Sequence, residues 1–248
     1  MKLTKSKLLR GYQCKKALYL TFKHPGLETK PDEALRFVFD QGNEVGAYAR
    51  REYPSGVLVD VKAWEFAEGL ARTQELLRAK TPVIFEGFFG FGNLICRADI
   101  LLKDDKGYQL IEVKSSTKVK EDHLLDVAIQ THIIESSGLS LSRISVRVLN
   151  PECRFPQLEN LFLTQEVTEE ARELARKIPS QLEDFRDVFR DPSLAKVPIG
   201  KHCDEPNECV FKAHCWKEVP KDSTLELYRG TGWDYWNQGI KNIADLDP

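Results

Sequence analysis

The sequence predicts an α/β protein in which a small mixed β-sheet is flanked by helices. Residues 83–115 contain three successive runs of Ile, Val, Leu, Phe and Tyr, separated by short segments rich in Gly and Asp, which is the pattern of consecutive strands. The segments before and after this region carry apolar residues at the spacing of amphipathic helices. Two more strand-like runs, at 142–149 and 160–164, follow the next predicted helix. Helices and strands therefore alternate as they do in layered α/β folds.

The part of the chain before the β region is predicted to be helical. A short helix is expected over residues 4–20. Another is expected over 62–80, and Thr81-Pro82 ends it, because the residue before a proline disfavours the helical conformation. Between them lies the longest predicted helix of this region, 32–53, whose apolar side is formed by Leu35, Val38, Phe39, Val45 and Ala49.

The β region is predicted to be a three-stranded meander. Its strands are expected at 83–89, 94–103 and 108–115, with Gly90 and Gly92 in the first gap and Asp104 to Gly107 in the second. The chain then continues with a helix over 121–137, the two strands named above, a charged amphipathic helix over 167–190, a cysteine-rich segment, and a helix-like stretch from Ile240 to Asp245.

The composition is that of an ordinary globular protein. The 248 residues carry a formal net charge of −2, and no apolar run approaches the ~20 residues that span a bilayer. The N-terminus lacks the apolar stretch of a signal peptide, so we expect a cytoplasmic protein with no membrane partner. Basic residues are clustered locally, and each cluster alone is typical of a solvated face. The clusters are Lys2, Lys5, Lys7, Arg10, Lys15 and Lys16, and then Lys114, Lys118 and Lys120.

Two acidic residues face each other in the second predicted hairpin. A turn that pairs Asp104 with Gly107 places Asp99 directly opposite Glu112, with Cβ atoms about 5 Å apart. Carboxylates this close repel each other unless a cation lies between them, and oxygen ligands suit Mg²⁺ or Mn²⁺. Lys114 points to the same side of the sheet as Glu112. The alternative is an internal Glu–Lys contact on a half-exposed sheet.

The first predicted hairpin supplies another candidate ligand. A turn centred on Phe91-Gly92 places Glu86 opposite Arg97, on the same face as Asp99. Glu86 is then either a third metal ligand or one partner of a plain Glu86–Arg97 salt bridge, and the sequence leaves both interpretations open.

The order of these residues resembles a known family. Asp99, followed one hairpin later by Glu112-Val113-Lys114, is similar to the signature of the PD-(D/E)XK nucleases, and Gln130 in the next helix looks like the motif of their RecB-like branch. The resemblance implies a restriction-endonuclease-like core. It also implies that Asp99 and Glu112 hold Mg²⁺ or Mn²⁺, that Lys114 orients or activates the attacking water, and that the Gln130 helix supports the site and the DNA.

The chain departs from the RecB-like pattern at two places. These nucleases carry a histidine in a Gly-x-x-x-His pattern in their first helix, and here Gly46 stands in its place. Glu44 is an alternative metal ligand there, or a surface charge. The tyrosine that follows the glutamine is also absent, since Ile134 stands at that position, with His132 nearby.

Four of the six cysteines form a second pattern. Cys203, Cys209 and Cys215 follow a C-x5-C-x5-C spacing, and Cys14 lies near the N-terminus. One early and three late cysteines resemble the iron–sulfur staple of AddB and of the CRISPR-associated RecB-like exonucleases, which implies a [4Fe–4S] cluster in a helical cap. Zn²⁺ held with Cys14, His202 or His214 is the alternative, followed by free thiols. Cys96 is expected in the core, and Cys153 has no assigned role.

These observations give one domain organisation and two main functions, with an iron–sulfur protein of redox or sensing role as a third possibility. Residues 1–220 are expected to form a RecB-like nuclease domain containing both halves of the iron–sulfur clamp, and 221–248 a tail that begins a further region. The expected function is Mg²⁺- or Mn²⁺-dependent DNA hydrolysis, as an exonuclease on single-stranded ends. The alternative is a catalytically weak or inactive DNA-binding module of a larger helicase–nuclease or CRISPR-type assembly.

Overall fold

The computed structural model describes residues 2–227 and 232–246, so part of the predicted tail 221–248 lies outside the described residues. The chain divides into two compact units. The first, which we call the sheet unit, consists of Met1–Leu9 and Pro31–Arg186. The second, the cysteine unit, consists of Arg10–Lys30 and Asp187–Pro248, so it combines an early and a late segment of the chain.

Strands and helices alternate along the chain. The strands are β1 (Leu3–Thr4), β2 (Val57–Leu58), β3 (Val83–Phe91), β4 (Leu94–Asp104), β5 (Gly107–Lys114), β6 (Leu141–Leu149) and β7 (Phe162–Glu166). The α-helices are α1 (Lys5–Gln13), α2 (Lys15–Lys23), α3 (Glu33–Arg51), α4 (Phe66–Arg78), α5 (Glu121–Ser136), α6 (Thr168–Ala175), α7 (Ile178–Arg190), α8 (Lys212–Cys215) and α9 (Gly232–Asn237). Short 3-10 helices lie at Pro25–Leu27, Pro192–Ala195, Lys201–Cys203, Thr224–Glu226 and Ile243–Asp245.

The fold is mixed α/β, as predicted, and the described strands form one seven-stranded sheet. The strand order is β2-β3-β4-β5-β6-β7, and β1 pairs with β4 outside this path. Three pairings are parallel, namely β1 with β4, β2 with β3 and β5 with β6. The β3-β4-β5 meander and the β6-β7 pair are antiparallel. The predicted three-stranded meander is therefore confirmed.

Helices α3 and α5 lie on opposite faces of this sheet. Ile111 of β5 packs with Ala49 of α3, whereas Glu112, the next residue of β5, bonds to Gln130 of α5. Successive side chains of a strand point to opposite faces, so these contacts assign the helices to different layers. Helix α5 is buried on nearly all sides, since every residue from Asp126 to Thr131 is buried together with Ile133 and Ile134, although Gln130 and Thr131 are polar.

The registers of the two hairpins were predicted with different success. In the second hairpin Asp104 pairs with Gly107 and Ile100 with Ile111, as predicted. In the first, Phe91 pairs with Leu94 and Phe88 with Arg97, so the predicted pairing of Glu86 with Arg97 is wrong by two residues. The turn includes Gly92 at φ +59, a conformation that glycine adopts readily. A shift of two residues preserves the face of each side chain.

Several predicted helices differ from the observed ones. The predicted helix 4–20 is two helices that break at Cys14, whose backbone is extended. The predicted helix 167–190 breaks between α6 and α7. The stretch from Ile240 to Asp245 contains only a short 3-10 turn. Charged amphipathic spacing continues across each break, so periodicity alone does not reveal it. The two-residue strands β1 and β2 are too short to show a period and were not predicted.

The apolar side predicted for α3 is only partly buried. Ala49 is buried, but Leu35, Val38 and Phe39 are 41%, 52% and 53% exposed. The first half of α3 is stabilised locally, where the side chain of Asp32 accepts a hydrogen bond from the Leu35 amide at 2.8 Å. Helical spacing predicts the helix but not whether its apolar side has a partner. No helix among the described residues is long and apolar enough to cross a membrane.

Candidate active site

The second hairpin brings Asp99 and Glu112 to one place in the sheet unit. Asp99 lies in β4 and Glu112 in β5, two strands whose register leads toward this pair through Ile100 and Ile111. The Val113 amide, next to Glu112, donates a hydrogen bond of 2.8 Å to Asp99 Oδ2. Asp99 and Glu112 both line an open cavity of about 640 Å³.

Glu112 is the centre of a buried polar cluster. It is only 2% exposed. Lys114 Nζ donates to its Oε1 at 2.7 Å, and Gln130 Nε2 donates to its Oε2 at 2.7 Å. The predicted residues Lys114 and Gln130 thus both contact Glu112 directly. Gln130 lies at the point where α5 passes over β5, and its own Oε1 is buried without a hydrogen-bond partner among the described residues.

Two members of this cluster, Lys5 and Asp126, were missed by the sequence analysis. Lys5 follows β1, and its Nζ lies 3.0 Å from Glu112 Oε1 and 2.9 Å from Asp126 Oδ1. Asp126 also pairs with Lys114, and it accepts a hydrogen bond of 3.3 Å from Gln130. Its signal was an acid four residues before Gln130, on the same face of the helix. Lys5 stood among other basic residues, and nothing in its neighbours distinguished it.

The two lysines give the carboxylates of the cluster different protonation behaviour. Burial would raise the pKa of Glu112, but the ammonium groups of Lys114 and Lys5 outweigh it and hold this pKa well below its usual range. Burial and the charge of Glu112 raise the pKa of Asp99 to about 8. Burial opposes the charge of Lys5 and Lys114, but the nearby carboxylates raise the pKa of each lysine above its usual value. Both lysines are therefore cations at neutral pH.

Glu86 lies beside the pair in an unusual backbone conformation. Its φ is +55, although it is not glycine, and such strain is concentrated at functional sites. The paired residues Phe85 and Gly87 flank it, so the ladder is interrupted at Glu86 itself. Its carboxylate forms a salt bridge with Arg97 and another with Arg50 at 3.3 Å. The salt bridge considered from the sequence is thus present, while Glu86 also lines the cavity next to Asp99.

Helix α3 contributes to the cavity, but not through Glu44. Gly42, Gly46 and Arg50 line it, whereas Glu44 is exposed and is not part of the lining. A Cβ atom placed at Gly46 would meet only Arg50 Nη1, at 3.6 Å. The position at which RecB-like nucleases carry a histidine therefore faces the cavity and has room for a side chain.

The oxygen donors at the cavity fit a hard divalent cation. Asp99 and Glu112 line the same space, and a bound cation relieves the repulsion between neighbouring carboxylates. No group of three or more His, Cys, Asp or Glu side chains in residues 2–227 and 232–246 is arranged to hold a metal ion. In the cluster, the ammonium groups of Lys5 and Lys114 occupy oxygens of Glu112 and Asp126.

The four predicted cysteines lie together in the cysteine unit. Cys14, Cys203, Cys209 and Cys215 line one small recess of about 10 Å³, with His202 beside them; His214 is exposed and lies outside the lining. Gln13 ties the early segment to the late one by donating to the carbonyls of His202 at 2.9 Å and Asn207 at 2.7 Å. Burial and the neighbouring thiols raise the pKa of Cys14 and Cys209. Bound metal would favour the thiolate form, and the four thiols are donors of the type that thiolate-ligated centres use. As placed, however, they are not among any group of three or more described His, Cys, Asp or Glu side chains arranged to hold a metal ion.

The remaining cysteines, Cys96 and Cys153, do not line this recess. Cys96 is buried in β4, as expected for a core residue. Cys153 lies in the sheet unit, where its Sγ is 3.4 Å from the Gln157 carbonyl oxygen.

No protein-family model matches the chain, and no curated protein matches its sequence. Solved structures with a similar backbone include SSO0001, which is 14% identical over 86% of this chain and 85% of that chain, with a TM-score of 0.43. They also include the alkaline exonuclease LHK-Exo from Laribacter hongkongensis, alone and in complex with dAMP. It is 12% identical over 77% of this chain and 93% of that chain, with a TM-score of 0.40. Similarity at this level concerns the course of the backbone, and the roles of individual residues are inferred from the site itself.

Proposed function

We propose that the chain is a metal-dependent nuclease of the RecB-like PD-(D/E)XK type that hydrolyses phosphodiester bonds of DNA. One observation carries this proposal. The residues singled out by the family resemblance meet around buried Glu112, beside an open cavity, although Asp99 and Gln130 are 31 positions apart in the chain (130 − 99). A half-exposed Glu–Lys contact, the alternative interpretation, would not require the buried amide of Gln130 on the same carboxylate.

Each residue has a specific role in this proposal. Asp99 and Glu112 would hold Mg²⁺ or Mn²⁺, and this ion would supply an electrophile for the phosphate and an acidified water. Gln130 fixes the orientation of the Glu112 carboxylate through its bond to Oε2. Because the pKa of Lys114 is raised, Lys114 acts as a cation that orients the water and stabilises developing negative charge, and not as a general base.

The substrate class follows from the family resemblance and from the surface near the site. We expect single-stranded DNA ends to be preferred, with exonucleolytic cleavage. Lys118 and Lys120, in the loop between β5 and α5, are exposed, so their charges are available to phosphate groups. The cavity itself is open to solvent beside Asp99 and Glu112.

A cleavage assay tests the enzymatic proposal directly. Purified protein is incubated with Mn²⁺ and end-labelled single-stranded DNA, double-stranded DNA or RNA, with EDTA as the control. We expect Mn²⁺-dependent shortening of single-stranded DNA and none with EDTA. If Mn²⁺-loaded wild-type protein cleaves none of the three substrates, the enzymatic proposal is wrong.

That negative outcome would favour the second candidate function, a DNA-binding module that has lost cleavage and serves a larger helicase–nuclease or CRISPR-type assembly. The observation in its favour is Gly46, which leaves the cavity without the histidine of RecB-like nucleases. Such a module would retain salt-sensitive binding of single-stranded DNA in the absence of any cleavage.

The cysteine unit is proposed to hold a [4Fe–4S] cluster through Cys14, Cys203, Cys209 and Cys215, forming a helical cap. Four thiols and a single histidine line the recess, and thiolates are the usual ligands of such clusters. The cluster would act as a structural clamp between residues 10–30 and 187–248, because metal-binding free energy then adds to folding free energy.

The colour and stability of the protein test this second site. Anaerobically purified wild-type protein should be brown, with broad absorbance near ~400 nm. Cys209→Ala should lose the colour and unfold at a lower temperature, whereas Cys153→Ala, a matched control away from the recess, should keep both. Colourless wild-type protein with stoichiometric zinc would replace the cluster by the zinc alternative.

A further inference from the structure

The N-terminal strand β1 brings a third basic side chain into the candidate active site. Leu3 and Thr4 pair in parallel with Leu94 and Ile95 of β4, and the Leu3 amide donates to the Asn93 carbonyl at 2.9 Å. The next residue, Lys5, is fixed by this pairing, and its side chain lines the cavity together with Asp99 and Glu112. Lys114 does not belong to the cavity lining, so Lys5 is the lysine nearer to the entry route of an ion.

The hydrogen bonds of Glu112 show what an entering ion would meet. Glu112 Oε1 accepts from two ammonium groups, Lys5 at 3.0 Å and Lys114 at 2.7 Å. A carboxylate oxygen has two lone pairs, and these two donors use both. Oε2 accepts one hydrogen bond, from Gln130. An ion that approaches Glu112 from the cavity can therefore coordinate Oε1 only if one of the two ammonium groups moves away from this oxygen.

The contacts of the two lysines and the lining of the cavity indicate which ammonium group leaves. Lys114 is held by Glu112 and by Asp126 Oδ2, and Lys5 by Glu112 and by Asp126 Oδ1. The two lysines thus neutralise Glu112 and Asp126, while Glu86 at the same cavity is paired with Arg97 and Arg50. Asp99 forms no salt bridge among those of the described residues and lines the cavity beside Glu112. Either lysine could leave Glu112 and keep its own oxygen of Asp126. Lys5 is the one that lines the cavity, and its distance to Glu112 Oε1, 3.0 Å, is longer than the 2.7 Å of Lys114.

We propose that Lys5 is the resident counter-ion of the candidate metal site, and that it competes with the divalent cation for Glu112 and so sets the affinity of the site for metal. This inference rests on the proposed function, since it assumes that Asp99 and Glu112 bind the cation. Lys5 is a positioning residue in this scheme. Its release of Glu112 accompanies metal binding, and the positive charge it carries opposes a divalent ion at the same carboxylate.

Metal binding without DNA tests the inference. Mn²⁺ affinity is measured from the free-ion electron paramagnetic resonance signal for wild type, Lys5→Met and Lys2→Met. Methionine keeps the length of the side chain and removes its charge, and Lys2 is an exposed control in the same segment. We expect Lys5→Met to bind Mn²⁺ about tenfold more tightly, or better, because a nearby like charge is removed, and Lys2→Met to match wild type.

Each result of this titration has a definite meaning. Unchanged or weaker Mn²⁺ binding by Lys5→Met overturns the inference and leaves the metal site in place, because a purely structural Lys5 would give that outcome. Failure of wild type and Lys5→Met alike to bind Mn²⁺ contradicts the proposed metal site itself.

A second measurement on the wild-type protein avoids any folding defect of the variant. The side-chain Cε signal of Lys5 is assigned by its disappearance in Lys5→Arg and is then followed by nuclear magnetic resonance during a Mg²⁺ titration. We expect this signal to move as the site saturates, while that of Lys2 stays in place. A Lys5 signal that remains unchanged at saturating Mg²⁺ also overturns the inference.

Discussion

At the scale of single residues, the site is organised around the buried carboxylate of Glu112. An isolated buried carboxylate is costly, and here two ammonium groups and one amide satisfy it. Asp99 differs, because among the described hydrogen bonds its side chain accepts only from the Val113 amide. This contrast explains why the pKa of Glu112 is lowered while that of Asp99 is raised to about 8.

The raised pKa of Asp99 gives a prediction for the metal-free protein. The folded-state pKa, about 8, lies above the value of an unfolded chain, ~3.9. Stability due to this group is therefore fully present below about pH 4 and is lost as the pH rises through 8. In EDTA, wild type should lose up to about 1.4 kcal/mol per pH unit relative to Asp99→Asn in this range.

Chemical denaturation at a series of pH values measures this difference. Glu112 does not contribute to it, because its lowered pKa acts only below about pH 4.5. The control is Asp105→Asn, which changes an exposed carboxylate in the turn of the same hairpin and should follow the wild-type profile. If the free energy of unfolding changes with pH in parallel for wild type and Asp99→Asn between pH 5 and 8, the pKa of Asp99 is not raised in the folded protein.

The positions of individual site residues were predicted where they depend on β4, β5 and α5 alone. A single hairpin register brought Asp99 and Glu112 together, and alternation along β5 added Lys114. Lys5 could not be predicted, because its position depends on a two-residue strand that pairs with β4, about 90 residues later in the chain (94 − 3 = 91). Short strands of this kind are defined by their partner and not by their own pattern.

At the scale of elements, the loop between β5 and α5 is the surface most directly connected to the site. It follows Lys114 and contains the exposed residues Lys118 and Lys120. Replacing both with Gln should weaken single-strand binding and reduce the slope of log K against log salt by about 1.4, since each phosphate contact contributes ~0.7.

The control for this experiment uses two lysines at the other end of β5, next to the β4-β5 turn. Lys103 lies near the end of β4 and Lys106 in the β4-β5 turn, and both are exposed. Their double replacement removes the same charge at the far end of β5 from Lys118 and Lys120. Its salt slope should equal that of wild type. An unchanged slope for the Lys118 and Lys120 variant would show that this loop is a solvated face with no phosphate contact.

The prediction of helices and strands was limited at helix breaks and at strands whose pairing partner is distant in sequence. The meander was predicted because Gly and Asp separate three clear apolar runs, and β7 and α5 were found by the same reasoning. The break at Cys14 carries no proline or glycine of its own, so nothing at that residue marks it. The break between α6 and α7 does have a signal that was overlooked, because Pro179 is the second residue of α7 and proline favours the first turn of a helix. The first hairpin shows that a glycine-rich gap locates a turn only to within two residues, since Gly90 lies within β3 and Gly92 in the turn.

At the scale of the whole molecule, the chain separates into a sheet unit and a cysteine unit that are each assembled from distant segments. The net charge of −2 does not mark either unit as a nucleic-acid-binding surface. Several basic side chains form salt bridges within the chain: Lys5 and Lys114 pair with buried acids, and Arg10 pairs with Glu28. Composition is thus a poor guide to this site, while the order of motifs along the chain is a good one.

The grouping of the four cysteines illustrates the same limit. Their spacing alone did not distinguish a cluster from zinc or from free thiols, and only the resemblance to iron–sulfur nucleases connected Cys14 with Cys203, Cys209 and Cys215. The fold places all four at one recess, because residues 10–30 and 187–248 belong to the same unit. Contacts between segments this far apart in sequence have no local signature.

The most direct test of the central claim, that Asp99 and Glu112 together hold one catalytic cation, is a comparison of Mn²⁺-dependent DNA cleavage by wild type, Asp99→Asn, Glu112→Gln and the double variant. Each single change should lower the cleavage rate by about 100-fold or more, and the double variant should be little worse than either, because residues that act as one unit are not additive. Binding of single-stranded DNA should be retained. Cleavage by Glu112→Gln at the wild-type rate would contradict the claim.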